Sequence, residues 1–213
     1  MRRWSMVLLV VLMMLSACSG EDVTPAPDTA TPTEVFEQYR SALIADDGQA
    51  ALALMDSDTI AWYDRVVEEA LTMPREELEA LGYTEMFTIL RVRQVFRRYE
   101  IEAMTGESLF VDMIDRGWTA RSSVEGVRVA EEHVEGNRAW VSFQAAPTEP
   151  AMYFDLEDGE WKIALSESFP LADEQFNQAM EGQEYIIETY VLEMLMTLTG
   201  LDVDEAIFDG PLD

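Results

Sequence analysis

The hydrophobic pattern of this chain changes period between residues 116 and 127, and the change narrows the possible folds sharply. Up to about residue 116, apolar residues recur three and four apart, the spacing of one helix face; from Val127 to Leu165 they recur at every second position, the spacing of one sheet face. Val127 and Val129, then Ala139, Val141 and Phe143, then Met152, Phe154 and Leu156, then Trp161, Ile163 and Leu165 alternate with other residues. Glu135-Gly136-Asn137 and Asp158-Gly159 stand between the runs as hairpin turns. Helices first and a strand meander afterwards predict an α+β fold.

The helical half carries its own punctuation. Thr31-Pro32-Thr33-Glu34 offers an N-cap, proline at the first helical position and glutamate at the third. Val35, Phe36, Tyr39 and Leu43 follow at helical spacing, and Asp46-Asp47-Gly48 stops the helix. A short helix is expected over 49–55. Ser57 or Asp58 would cap a third, about 59–71, with Trp62, Val66, Val67 and Ala70 on its apolar side. Pro74 opens an acidic turn ending at Gly82. One longer helix is expected over 84–101, with Phe87, Leu90, Val95 and Tyr99 near one face, and a short one over 106–116.

Charge restricts the partners. The chain has 42 acidic and 14 basic residues, a net charge of -28. Nucleic acid needs a basic face and is excluded as a partner. Thirteen of the basic residues are arginine and one is lysine. With 48% apolar residues in 213, there is material for one well-buried domain. From Ile163 to the end there is no Lys or Arg against twelve Asp and Glu, so this stretch cannot hold itself by internal ion pairs.

The first 18 residues, MRRWSMVLLVVLMMLSAC, run from basic through apolar to small. That order is the order of an export signal, and an apolar run this short cannot span a bilayer, which takes about 20 residues. Leu15-Ser16-Ala17-Cys18 resembles a bacterial lipobox. The resemblance implies cleavage after Ala17, a diacylglyceryl thioether on Cys18 and acylation of the new amino terminus. Several acyl chains, at about 0.8 kcal/mol per buried CH₂, would hold the protein on a membrane. Ser19 in place of Asp favours the outer membrane if the cell is Gram-negative, and otherwise the outer face of the cytoplasmic membrane is expected. Residues 18–32 read as the lipidated cysteine and a proline-rich tether reaching roughly 40 Å.

The helix ending in ADDGQAALALM, several short helices, and hairpins ending in EDGEWKIAL together resemble the nuclear transport factor 2-like superfamily, over about residues 33–170. The resemblance implies a cone: a curved antiparallel sheet wrapping the N-terminal helix around a pocket. Polyketide cyclases and ketosteroid isomerases share that fold with many catalytically silent members. The helix-rich stretch 57–116 is longer than in the simplest members. Residues 171–199 are a further departure, expected to form one amphipathic helix capped by Asp173. Phe176, Met180, Ile187, Val191 or Tyr190, Met194 and Leu198 would form its apolar stripe, covering one sheet face or docking a partner or second copy. Trp140, Tyr153 and Ala164 lie off the main strand parity, which suggests a sheet face wanting a cover. Residues 200–213 read as a frayed acidic tail.

Tyr39, Trp62, Asp64, Phe143 and Trp161 are the candidate pocket residues. Asp64, beside Trp62 and Tyr63, is the nominee for a pocket carboxylate, although a solvent-facing place on its helix explains it better. His133, the one histidine, sits near a hairpin tip and is assigned no catalytic role. Asp155, Glu157, Asp158 and Gly159 look like a calcium loop with the glycine one place early, and a hairpin turn explains them better. Asp202, Asp204 and Glu205 lack the rest of any loop. Arg91, Arg93, Arg97 and Arg98 form the one basic cluster, expected to offset neighbouring acids. No catalytic residue, metal or cofactor is assigned. The reading is a lipid-anchored envelope protein with a non-catalytic domain that binds a small apolar ligand or a protein partner, in or beside the cone. Its rivals are a cyclase- or isomerase-like enzyme using a pocket carboxylate, and an assembly protein using 173–199 as interface.

Overall fold

The computed structural model describes residues 29–118, 124–182 and 187–211. The leader, Ala17, Cys18 and most of the tether lie outside the described residues. Among those described, no helix is long and apolar enough to cross a membrane.

Helix α1 (Pro32–Ala45) starts where its cap dictates. The Glu34 amide donates to the Thr31 hydroxyl at 3.3 Å, and the Glu34 carboxylate accepts from the Thr31 amide at 2.8 Å. It ends at Asp46, which takes a left-handed conformation and turns its amide back to Ala42 and Leu43. Asp47 then caps α2 (Gly48–Leu52). Helix α3 (Ser57–Thr72) is capped by Asp56, one place before the expected Ser57 and two before the expected Asp58. A short α4 (Arg75–Leu78) follows Pro74.

The long helix expected over 84–101 is two helices. Helix α5 (Tyr83–Val95) stops at Phe96, whose backbone is extended, and α6 (Arg98–Ile101) restarts after Arg97, whose amide donates to the Glu100 carboxylate at 2.8 Å. The break buries Phe96 beside Trp118, with ring centroids 5.8 Å apart, and leaves Tyr99 exposed. Helix α7 (Gly106–Asp115) packs on α2 and α3.

The strands form one open antiparallel sheet in the order β1 (Val129–Glu135), β2 (Arg138–Phe143), β3 (Met152–Glu157), β4 (Glu160–Ile163). The architecture is α+β, as the change of period predicted. The inner face carries Ala139, Val141, Met152, Phe154, Leu156, Trp161 and Ile163, all buried, and α1 lies across it. The edge at β4 is occupied: the Ile163 amide donates to Leu54 O at 2.7 Å, and the Asp56 amide donates to Ile163 O at 3.1 Å. Leu165 does not extend β4 but begins a 3₁₀ turn, Leu165–Ser168.

The C-terminal stretch departs most from expectation. In place of one helix over 171–199 there are α8 (Phe169–Met180) and α9 (Ile187–Thr199). Asp173 is inside α8, and caps α5 instead: its carboxylate accepts from the Thr84 amide at 2.7 Å and the Thr84 hydroxyl at 2.6 Å. Gly82 makes this approach possible, since a Cβ there would lie 2.0 Å from the Asp173 carboxylate. Both helices pack on α5. Phe176 stacks on Tyr83 at 3.8 Å, and Val191 and Leu195 are fully buried, whereas Leu198 is exposed. Beyond them the chain does not fray. Residues Glu205–Asp209 form a 3₁₀ turn that seats Ile207 and Phe208 in the core.

Candidate functional site

The four aromatic candidates for the pocket, Tyr39, Trp62, Phe143 and Trp161, fill space rather than enclose it. Tyr39 on α1 and Tyr63 on α3 are buried, and desolvation raises the hydroxyl pKa of both, with each other's proximity adding to the effect on Tyr63. Trp62 meets Tyr63 edge-on at 4.9 Å and Phe169 at 4.5 Å, and Tyr63 meets Phe110 at 5.3 Å. Phe143 tilts against Phe36 at 5.1 Å. Trp161 is buried on the inner sheet face and touches only a shallow surface groove beside Val35, Gln38 and Leu54. Each aromatic so buried contributes about 1.5–3 kcal/mol to the core.

Asp64 is exposed on α3, and its carboxylate accepts from the Gly106 amide, capping α7. The buried carboxylate of this region is Asp56, which the sequence reading passed over. It accepts from the Thr59 amide at 2.8 Å. Burial raises its pKa, the Thr59 hydrogen bonds oppose the rise, and Glu157 and Asp155 add to it. Glu157 in turn accepts from the Ser57 amide at 3.0 Å and the Ser57 hydroxyl at 2.7 Å. Asp56 therefore works at a helix start and faces no enclosed volume.

Two of the four clustered arginines, Arg91 and Arg93, are structural as well, and not as expected. Arg93 is fully buried, and its guanidinium donates to five backbone carbonyls: Glu69, Ala70 and Met73 at the end of α3, and Ile207 and Phe208 in the C-terminal turn, at 2.6–3.2 Å. Arg91 lies over the Trp118 ring at 4.3 Å, and burial lowers it to about 10. Neither offsets a neighbouring acid on its own helix face.

The outer sheet face is open in part, with Trp140 and Tyr153 half-buried but Ser142 and Ala164 covered, and register builds it. The pairings His133 with Trp140 and Trp140 with Tyr153 make one cross-strand row; Glu135, Arg138, Asp155 and Lys162 make the next. His133 stacks on Trp140 at 3.8 Å with the rings 17° apart, and its Nε2 lies 3.2 Å from Glu131. Arg138 donates to Asp155 at 3.1 Å and pairs with Glu167 on the 3₁₀ turn, which borders the face. His133, Val134, Glu135, Arg138, Trp140 and Tyr153 line a groove of about 520 Å³. A general base works best where water is excluded; the His133 side chain is 46% exposed. The arrangement offers a half-buried aromatic surface beside alternating charges, which is the makeup of a recognition surface. The off-parity Trp140 and Tyr153 pointed to it. Arg138 was missed, and cross-strand register alone brings it there.

Asp158 and Gly159 form the β3–β4 hairpin turn, both with positive φ. Among the described residues no cluster of three or more His, Cys, Asp or Glu side chains is arranged to hold a metal. Compared with family models, with curated proteins and with solved structures, the chain has no significant match in any of the three.

Proposed function

We propose that this chain is a lipid-anchored envelope protein whose globular part binds a partner on the outer face of its sheet and performs no catalysis. The packed interior carries the second half of the proposal. A cyclase or isomerase needs a sheltered volume beside its carboxylate. Here that space holds Phe36, Tyr39, Trp62, Tyr63 and Phe110, and the nominated carboxylate, Asp64, caps a helix. An α1 helix lying across an antiparallel meander, with a bulge near the start of β1, supports the nuclear transport factor 2-like cone for residues 33–170. The partner site is put on the sheet rather than on 173–199, because Val191 and Leu195 are buried and α9 packs on α5.

The anchor rests on Leu15-Ser16-Ala17-Cys18. Cell fractionation tests it: Cys18→Ser should lose its lipid and leave the membrane fraction, and retention there overturns the anchor. The binding reading is tested by titrating the chain from Cys18 onward with Nile red, a neutral apolar dye. The filled interior should give no one-to-one binding that quenches Trp62. Stoichiometric binding that a Trp62→Phe change alters would reveal an enclosed site and favour the enzyme.

A further inference from the structure

We infer that the free edge of β1 takes up an extended segment of a partner protein, one that alternates basic and apolar residues. The inference rests on the partner-binding reading above and names the chemistry of that partner.

The two edges of the sheet differ. Residues 54–56 occupy the β4 edge. Among the described residues no strand lies beyond β1. The direction of the main-chain groups follows from the register. The Val141 carbonyl accepts from the Ala151 amide on the β3 side. Its β1 partner, Glu132, therefore turns its N–H and C=O away from β2, and by the two-residue period so does Val134. The irregularity between Val129 and Glu131 limits the regular edge to residues 131–135.

Side chains define what fits. Glu131, His133 and Glu135 share the outer face, and Val134 stands on the inner parity, 53% exposed. The Glu132 carboxylate also has inner parity and accepts from the Thr33 amide and hydroxyl, which ties β1 to α1 without covering the edge. An antiparallel strand would pair its main chain with Glu132 and Val134, setting apolar residues beside Val134. Its alternate residues would lie beside Glu131, His133 and Glu135, where lysine or arginine is complementary. A second copy is disfavoured, since it would set Glu131 and Glu135 against their own kind between chains of net charge -28.

The test uses the full chain in non-ionic detergent and a capped nonapeptide alternating lysine and valine, labelled with ¹³C at its carbonyls. Saturable binding is expected, with the labelled amide band moving to the β-sheet position. Methylating the valine amides keeps the peptide's charge but removes the pairing donors, and should weaken binding at least tenfold. A glutamate–valine peptide should not bind. Val134→Pro, which removes an outward N–H, should reproduce the tenfold loss with an unchanged circular dichroism spectrum. Three results overturn the inference: no binding, equal binding of the methylated peptide, or self-association of the chain that Val134→Pro abolishes. If Trp140→Ala removes peptide binding that Val134→Pro leaves intact, the sheet face still binds and the edge inference alone fails.

Discussion

Asp56 shows what one residue can reveal and conceal. Sequence reading placed the α3 cap at Ser57 or Asp58, within two positions, because Asp and Ser are equally good caps and three candidates stand in a row. It could not foresee that β3 would bring Glu157 and Asp155 near. The consequence is testable by denaturant unfolding. Asp56→Ala should cost about 1 kcal/mol for the lost cap. Asp56→Asn keeps the acceptor but removes a carboxylate whose pKa is raised, first by burial and then by Glu157 and Asp155. It should leave the protein at least as stable as the parent at pH 7. A raised folded pKa means that the native state binds the proton more tightly than the unfolded chain. The penalty for ionised Asp56 is therefore present at neutral pH and fades as pH falls through the folded value. The advantage of asparagine should shrink as pH drops from 7 towards 4. An Asn variant clearly weaker than the parent at pH 7 would sink this account.

Among the elements, those with local signals were legible and those with distant partners were not. Thr31 and Glu34 lie three residues apart, and Asp46 ends the helix that precedes it, so α1 could be bounded from sequence. Arg93 and Asp173 act on elements up to 115 and 89 residues away, and nothing beside them in the chain announces it. Arg93 looked like a surface charge, but it is the joint between the end of α3 and the C-terminal turn. The acidity of that turn predicts a frayed end; Ile207 and Phe208 hold it down. Phe208→Ala should cost about 3–5 kcal/mol, as for other buried phenylalanines. Arg93→Met leaves five carbonyls without their donor and should cost a comparable amount. Because both changes undo one joint, their effects should fall short of additive by more than 0.5 kcal/mol in a double-mutant cycle. Additive losses would mean that Arg93 and the turn stabilise the fold independently.

For the whole molecule, charge sets the terms. The sequential order of the sheet, β1 to β4, was readable because hairpin neighbours pair, and the α+β division followed from one change of period. The candidate site was not readable in the same way. Four of the five residues nominated from sequence for a pocket are aromatics that any core would use, and only the outward parity of Trp140 and Tyr153 gives a specific signal for the sheet face. Acidity, by contrast, is fully visible in sequence, and its physical effect is global. Folding concentrates a charge of -28 into a smaller volume, so repulsion opposes the native state more than the unfolded chain. Salt should relieve it. The screening length falls from about 10 Å at 0.1 M to about 3 Å at 1 M. The melting temperature at pH 7 should therefore climb with sodium chloride, by about 2–4 °C for each kcal/mol recovered. A general effect of salt on water would act at every pH, whereas relief of repulsion requires net charge. Near pH 4.1, where the sequence carries no net charge, the dependence should flatten. Calorimetric scans across salt at the two pH values separate these causes, and an equal slope at both would show that repulsion does not limit the stability of this fold.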